Sequence, residues 1–358
     1  MKKKLNKTTK SNLITYAMVV IVYIIVQLLV SGGAVSSLMK GLLVPLCVYS
    51  ILAVSLNLTV GILGELSLGH AGFMCIGAFI SATFSKLTNG VIQPAGFRFF
   101  LAILVGAVFA GIFGLLIGIP VLRLKGDYLA IVTLAFGEII KNLINVLYIG
   151  VDDKGLHVAT SAAGLHLEAG GKQILKGALG ISGTATLYKD IKNYFFLIGV
   201  ILLLLTLFIV QNLVNSRSGR AIMSTRDNRI AAESVGINIT RYKLLAFTIS
   251  AALAGVAGVL YAHNLSLLKV SVFDYNMSIL VLVYVVLGGI GNIRGSIIAT
   301  IILYALPELL RGFANYRMLI YAIVLIIMML FNWAPAARDW RARMVEKFKG
   351  KKEKKEVA

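Results

Sequence analysis

Apolar stretches of about 20 residues alternate with short polar connections along most of this chain. They fall at residues 13–30, 42–60, 67–85, 99–119, 128–149, 194–214, 243–263, 276–290, 293–311 and 315–333. A helix needs about 20 mostly apolar residues to cross a bilayer, so each stretch is a candidate span. The two stretches between 276 and 311 are short or interrupted by glycine. The pattern predicts an all-α, polytopic integral membrane bundle of about ten spans, with about eight as the lower bound.

Composition agrees with a bilayer environment, since 58% of the residues are hydrophobic and only 14% are charged. The first apolar stretch follows lysines and precedes small residues, as a signal peptide would. It is longer than the usual apolar run of about 7–15 residues, which favours an uncleaved span.

The two cysteines do not indicate a covalent or metal-bound framework. Cys47 and Cys75 lie inside apolar stretches, so neither a disulfide nor a metal site is indicated.

Basic residues cluster in three places: residues 1–12, the segment 215–243 (called the basic loop below) and the tail at 334–358. The net charge is +20, from 35 basic and 15 acidic residues. The positive-inside rule places all three clusters, and therefore both termini, in the cytoplasm. Six predicted spans precede the basic loop and four follow it, and both even numbers agree with that placement. Basic flanks of spans also contact lipid phosphates, so nucleic-acid binding is not expected.

The connection at 150–192 is the long one that the same parity places outside the cell. It carries five lysines and four acids and is rich in glycine, alanine, serine and threonine. Long loops are often functional or mobile. The sequence leaves two interpretations open, a cap or docking surface for a substrate-delivering protein, and a mobile connection.

Two spans carry small residues at every fourth position, which predicts close helix packing. One ridge runs from Gly106 to Gly118 and the other from Ala246 to Ala262. Two further segments, 61–72 and 287–296, place glycines and polar groups beside membrane-depth residues, as interrupted helices along a translocation path do. The candidate path residues in these segments are Gly64, Glu65, Ser67, His70, Gly288, Gly289 and Gly291.

Glu138 lies midway along the fifth apolar stretch, and Lys141 follows one helical turn later. An acidic residue there costs roughly 2.5–3.5 kcal/mol on insertion, so a neutralising pair on one helix face is expected. The pair is either structural or a polar lining of the path, and both residues join the candidate path list. Glu308 and Arg311 repeat the spacing near a span end, where a structural pair is expected.

The basic loop has the pattern of a short helix. Asp227 or Asn228 can cap its start, and Gly236 can stop it. About two turns of helix are marginal in water alone, which favours docking into a partner. The chain has no G-x-x-x-x-G-K-[ST] phosphate loop, so any ATPase must be a separate subunit. An ordinary solvated loop is the alternative.

Several stretches resemble one family. They lie at 56–61, 66–73, 122–134, 136–140, 218–220, 226–238 and 240–247. The sequence resembles the permease subunits of ATP-binding-cassette (ABC) importers for leucine, isoleucine and valine. It is most similar to the longer of the two permease types that such systems carry. The likeness covers most of residues 40–332.

The resemblance implies a bacterial inner-membrane permease with a second permease subunit, two ABC ATPase subunits and an extracytoplasmic substrate-binding protein. This chain would hold no cofactor and would not be an enzyme, because ATP and Mg²⁺ would bind the ATPases. The basic loop would be the coupling segment, although its order is Ala-Ala-Glu where the family pattern has Glu-Ala-Ala. The coupling residues would be Arg226, Asp227, Arg229, Ile230, Ala231, Ala232, Glu233 and Gly236.

The expected organisation is a basic N-terminus at 1–12, a transmembrane permease domain at 13–333 and a basic tail at 334–358. Two alternatives remain for function. One is a related importer permease for urea or short amides. The other is an ion-gradient-driven transporter or channel with no ATPase, while a purely structural scaffold fits the glycine-rich segments poorly.

Overall fold

A computed structural model of the chain describes residues 7–33, 36–124, 126–168, 170–313 and 316–333. The first lysines and the basic tail at 334–358 lie outside the described residues. Ten helices cover the ten predicted apolar stretches: α1 Lys7–Ser31, α2 Ser37–Asn57, α3 His70–Leu87, α4 Ala95–Val121, α5 Asp127–Val146, α6 Phe195–Asn215, α9 Ile239–Asn264, α10 Tyr275–Gly288, α11 Ile293–Leu309 and α12 Arg317–Trp333. Two more, α7 Arg217–Asp227 and α8 Arg229–Ser234, form the basic loop.

Seven helical segments of the described residues are long and apolar enough to cross a membrane: Asn12–Ser31, Met39–Leu63, Ala95–Val121, Asp127–Val146, Ala185–Asn215, Ile239–Asn264 and Ile293–Phe313. Helix α10 and residues Met318–Leu330 of α12 are shorter apolar helices. The chain is therefore a polytopic helical membrane protein.

Helix α9 forms the centre of the bundle, and both predicted small-residue ridges explain why. A Cβ atom on Gly255 would lie 2.8 Å from the Gly106 carbonyl oxygen of α4, and one on Gly258 would collide with the Met74 carbonyl of α3. Backbones that approach this closely leave room only for glycine. The prediction that these ridges serve tight packing is confirmed.

Both predicted helix interruptions are present. Helix α2 continues into a π-helical turn, Leu58–Leu63, which ends at Gly64 with φ of +80°. The chain then runs extended to α3. Between α10 and α11, Gly289 and Gly291 have φ of +97° and +80°. These values lie in the left-handed region that glycine alone adopts without strain. We call the segment 58–69 the first break and 288–292 the second break.

The predicted all-α fold is wrong at the long connection between α5 and α6. It holds β1 Tyr148–Asp152, β2 Gly155–Ala159 and β3 Lys172–Lys176, paired antiparallel in the order β2-β1-β3. Two short strands, β4 Ile181–Ser182 and β5 Leu267–Leu268, form a second sheet. Strands of two to five residues contain too few positions for an alternating pattern to emerge from the sequence. The connection is thus folded into strands, and its role as a cap or docking surface stays a prediction. We call this side of the bundle the sheet end.

A buried hydrogen-bond network joins the helices at the sheet end. Arg98 of α4 is only 4% exposed, and it donates to the Tyr188 hydroxyl (3.3 Å) and to the carbonyls of Asn89 (3.1 Å) and Leu187 (3.0 Å). It also donates to the Ile92 carbonyl (3.3 Å). The Tyr188 hydroxyl donates to Ser85 of α3 (2.8 Å), and Ser85 is hydrogen-bonded to His263 of α9 (2.8 Å). Polar groups satisfied in this way fix three helix ends to one another.

Candidate coupling and translocation site

Helix α8 has the predicted start and stop. The Asn228 side chain accepts a hydrogen bond from the Ala231 N–H (3.0 Å), so Asn228 rather than Asp227 is the cap. At the other end, the Gly236 N–H donates to the Glu233 carbonyl (3.0 Å) and the Ile237 N–H to the Ala232 carbonyl (3.1 Å). Gly236 has φ of +82°, and this pair of bonds with a left-handed residue is the Schellman stop.

The surface of α8 presents apolar side chains to solvent. Ile230 is 81% exposed and Val235 is 74% exposed, whereas Ala232 is buried beneath the helix. Arg229 and Glu233 pair at 3.5 Å on the outer side. Two large apolar side chains on a helix of only six residues, flanked by an ion pair, form a small surface suited to a partner groove.

Helix α7, which the sequence pattern did not predict, connects α6 to α8. Its cap is Ser216, whose hydroxyl accepts from the Gly219 N–H (3.1 Å), and Ile222 on its inner face is fully buried. The arginines at 217, 220 and 226 obscured this short amphipathic pattern. Because α7 packs on α6 and α9, it sets the position of the residues at its C-terminal end, among them Arg226 and Asp227.

Arg226 joins the basic loop to the first break. Its guanidinium donates to the Gly61 carbonyl (2.9 Å) and to the Asp227 carboxylate (2.8 Å). Its aliphatic stem covers Gly64, where an added Cβ would lie 3.0 Å from the Arg226 Cδ. Lys243 of α9 forms an ion pair with Glu65 beside it. Two charged side chains thus hold the first break against the helices of the loop.

The two breaks contact each other although they lie more than 200 residues apart. The Asn57 side chain accepts from the Gly291 N–H (2.9 Å) and donates to the Ser296 hydroxyl (2.8 Å). A Cβ on Gly61 would lie 2.7 Å from the Gly291 Cα. Of the predicted path residues, Gly64, Glu65, Gly288, Gly289 and Gly291 therefore lie in or beside one cluster at this end of the bundle.

Glu138 and Lys141 form the predicted ion pair away from the cluster of the two breaks. The Lys141 Nζ atom lies 2.5 Å from the Glu138 Oε2 atom. The Glu138 carboxylate also accepts from the Tyr275 N–H (3.1 Å) at the first turn of α10. Both side chains are partly exposed, 28% for Glu138 and 19% for Lys141. Glu138 lines a narrow crevice between α3, α5 and α10, where the Ser278 hydroxyl accepts from the Ala71 N–H (3.1 Å), and Lys141 lies beside it on the next turn of α5. We call this the midspan crevice.

Ser67 and His70 are buried near the start of α3. The His70 Nε2 atom is hydrogen-bonded to the Ser55 hydroxyl (2.8 Å), and its ring lies edge-on to Phe73. Among the described residues, neither its Nδ1 atom nor the Ser67 hydroxyl finds a hydrogen-bond partner. The Glu308–Arg311 pair is also present, at 3.0 Å.

A model of the family described as branched-chain amino acid transport system / permease component matches residues 38–331. The chain belongs to this family. The permease is 37% identical over 295 residues to the high-affinity branched-chain amino acid transport system permease protein LivM of Escherichia coli (strain K12), covering 80% of this chain and 67% of LivM. It is 24% identical over 291 residues to LivH of Salmonella typhimurium, covering 79% of this chain and 88% of LivH.

A more distant relative is the fructose import permease protein FruG of Bifidobacterium longum, 25% identical over 151 residues, or 40% of this chain and 44% of FruG. No solved structure matches the permease. The family and the LivM relative confirm the resemblance seen in the sequence. Urea permeases and ion-gradient transporters gain no support from these relatives.

Several residues of the permease that matter to the site were missed in the sequence. Asn57 joins the breaks, and Tyr275 and Ser278 border the midspan crevice. Gly61 and Ser296, which contact each other's segments through Asn57, lie in the predicted interrupted segments but were not among the candidate path residues. A polar amide inside the apolar stretch 42–60 was the available signal for Asn57, because such groups need a partner at membrane depth. Nothing local in the sequence points to Tyr275, whose backbone N–H makes the contact.

Proposed function

We propose that this permease is the transmembrane subunit of an ABC importer that translocates branched-chain amino acids handed over by a binding protein. The family membership and the similarity to LivM support the transport class and the substrate. One contact carries the coupling part of the proposal, the hydrogen bond from Arg226 to the Gly61 carbonyl. It connects the C-terminal end of α7, the helix directly before α8, to a break in the membrane helices.

In the proposed topology the chain crosses the bacterial inner membrane ten times, with both termini and the basic loop in the cytoplasm. The alternation of ten helices supports this count, although α3 and α10 are short and each follows a non-helical segment. The sheet end faces outward, where β1–β3 would receive the binding protein. The concentration of arginines in the basic loop agrees with a cytoplasmic position.

The proposed energy source is ATP bound with Mg²⁺ on two separate ATPase subunits, which act on this chain and on a second permease of the LivH type. Helix α8 docks into an ATPase groove through Ile230 and Val235. When the ATPase moves α8, Arg226 transmits the displacement to Gly61, and Asn57 passes it to Gly291. Two flexible glycine-rich breaks that share contacts can then change conformation together.

The proposed substrate path runs past the midspan crevice. An amino acid carries an ammonium and a carboxylate, and Glu138 and Lys141 provide opposite charges at membrane depth. Leu68, Leu134 and Phe273 line the same crevice and suit an apolar side chain. The permease holds the substrate weakly, because its charges already pair with each other, and the binding protein supplies the affinity.

Uptake assays test this function. Cells lacking the chain are compared with complemented cells for uptake of labelled leucine and labelled urea, with and without depletion of ATP. We expect loss of leucine uptake alone, restored only in ATP-replete cells. Loss of urea uptake alone would contradict the substrate, and leucine uptake that survives ATP depletion would contradict the coupling.

A further inference from the structure

Helix α5 packs on the bundle along one face and leaves the opposite face open. Its buried residues, among them Leu129, Phe136 and Ile144, pack mainly on α3. On the opposite face, six positions follow one another at steps of three and four residues: Tyr128, Ile131, Ala135, Glu138, Asn142 and Asn145. We call this line the outer seam. All six positions are exposed or half-exposed, and steps of three and four are the pattern of a helix that packs along another helix.

The outer seam differs from the surfaces that other spans expose. Residues 97–119 of α4 and residues 197–208 of α6 expose only apolar side chains, as faces in contact with lipid do. The second half of the outer seam instead carries a carboxylate and two carboxamides, at Glu138, Asn142 and Asn145. This face of α5 is therefore less suited to lipid than the faces of α4 and α6.

Glu138 lies too deep in the span to be explained by contact with the membrane surface. It is eight residues before Val146, the last residue of α5, which is about 12 Å along the helix axis. The ion pair with Lys141 removes its net charge, but both side chains remain partly exposed. Ionisable side chains at membrane depth almost always face protein or a water-filled cavity rather than lipid.

The chemistry of the outer seam fits another transmembrane helix. Ala135, at the centre of the line, is small and lets a second helix backbone approach closely. The carboxamides of Asn142 and Asn145 can form hydrogen bonds across a helix pair. The complementary surface is a helix that carries small residues together with hydroxyl or amide side chains.

A second copy of this chain fits the outer seam poorly. Two copies related by a two-fold axis along the membrane normal bring equal depths together, so each Glu138 carboxylate would lie opposite the same carboxylate of the other copy. Like charges repel, and the low dielectric constant at membrane depth strengthens the repulsion. A helix with a different residue at that depth avoids this cost.

We propose that the outer seam is the surface on which a second, non-identical permease packs. The inference rests on the proposed function, which supplies the second permease, and adds where the two chains meet. A helix of that permease lies along α5, with a small residue opposite Ala135 and a hydrogen-bonding side chain opposite Asn142. Glu138 belongs to both the outer seam and the midspan crevice, so the two permeases meet beside the proposed path.

The first test is photo-crosslinking in cells that contain the complete importer. Benzoylphenylalanine is placed at Ile131 of the outer seam or, as the matched control, at Val108 of α4, which is similarly exposed. We expect Ile131 to give an adduct with the second permease, identified by mass spectrometry, and Val108 to give none. The absence of a protein adduct at position 131, or an adduct with another copy of this chain, would overturn the proposal.

Leucine uptake in the same cells separates this inference from the proposed function. ATP-dependent leucine uptake without an adduct at position 131 would refute the surface and leave the function intact. An adduct with the second permease in cells whose leucine uptake does not depend on ATP would refute the function and leave the surface intact.

The second test is co-purification of the second permease with this chain. Ala135→Phe places a large side chain in the outer seam, and Val108→Phe does the same on α4. Both positions are exposed, so neither change should alter the amount of this chain in the membrane. We expect Ala135→Phe to recover about tenfold less second permease than Val108→Phe does. Equal recovery by the two variants would contradict the proposal.

Discussion

The two ends of the bundle are held together in different ways. At the sheet end, Arg98, Tyr188, Ser85 and His263 form a closed network of buried hydrogen bonds across three helices. At the end with the basic loop, Arg226 and Lys243 hold the first break through charged, partly buried contacts, and the neutral hydrogen bonds of Asn57 join one glycine-rich break to the other. The difference indicates a fixed frame at one end and a movable end at the other.

The contrast extends to the surface. The exposed apolar residues of α8, Ile230 and Val235, project from a helix that is attached to the bundle through α7 and Arg226. A helix of six residues is not stable alone, so its cap and stop must be reinforced by a partner. The end that is least fixed internally is thus the one that offers a surface to another subunit.

The largest effect is expected from disrupting the hydrogen-bond network of Arg98 at the sheet end. Arg98→Leu removes a buried guanidinium and with it the donor to the partly buried carbonyls of Asn89, Ile92 and Leu187, and a hydrogen bond to a charged group contributes about 1.5–3 kcal/mol. We expect a loss of about 3 kcal/mol or more, measured as a lower unfolding temperature in detergent. Arg123→Gln, at an exposed position, is the control. An unchanged unfolding temperature in Arg98→Leu would show that the network does not stabilise the frame.

The next largest effect is expected on the transmission of movement from the basic loop to the first break. Arg226→Gln removes the bond to the Gly61 carbonyl, which is charge-assisted and worth about 1.5–3 kcal/mol. We expect leucine uptake by the reconstituted complex to fall about tenfold while ATP hydrolysis persists and the unfolding temperature falls by only a few degrees. Arg220→Gln, on the same helix but at a more exposed site, should behave as wild type. Equal uptake by both variants would remove Arg226 from the coupling route.

A smaller effect is expected at the stop of α8. Gly236→Leu places a side chain at φ of +82°, which costs about 1–2 kcal/mol, and open space around the position means that no clash adds to it. Uptake should fall, and Gly236→Asn should restore much of it, because asparagine tolerates this backbone. Gly33→Leu, with φ of +75° and open space just after α1, imposes a similar strain away from α8. If Gly33→Leu impairs uptake as much, the effect is not specific to docking.

The smallest effect is a pH dependence of the three-stranded sheet β2-β1-β3. Burial raises the pKa of Asp152, but hydrogen bonds from the Glu168 N–H, the His157 ring and the Lys154 N–H outweigh it and leave the pKa below the ordinary value. The carboxylate therefore stabilises the sheet above the ordinary Asp pKa of about 3.9, and this contribution is lost as the pH falls through the lowered native value. A spin label at position 158 should become mobile in that acidic range. Asp152→Asn should show no such transition, and a transition that persists in it would point to another group.

The sequence predicted the helices well, because a run of about 20 apolar residues has the length and composition of a helix that crosses a bilayer. It also predicted the cap and stop of α8 and the Glu138–Lys141 pair, which depend only on neighbours within one turn. Each of these features is local, so its signal is present in a short window of residues.

Long-range contacts were not predictable. The candidate path residues were grouped as one set, but Glu138, with Lys141 paired to it, lies at the midspan crevice, and Gly64 and Gly291 lie with the breaks. The bond between Asn57 and Gly291 spans 234 positions, and no periodicity in a single sequence encodes such a pairing. The strands at the sheet end were not predicted for a related reason. Their hydrogen-bonded pairing with one another, rather than their composition, makes them strands.

The docking of α8 is the claim on which the account of coupling depends, and one measurement tests it most directly. Complexes are reconstituted with Ile230→Asp, Val235→Asp or, as the control, Leu179→Asp, which is similarly exposed at the sheet end. Leucine uptake and association of the ATPase subunits are measured together. The account predicts that both fall about tenfold or more in the α8 variants and stay at wild-type levels in the control. Wild-type association and uptake in Ile230→Asp and Val235→Asp would contradict it.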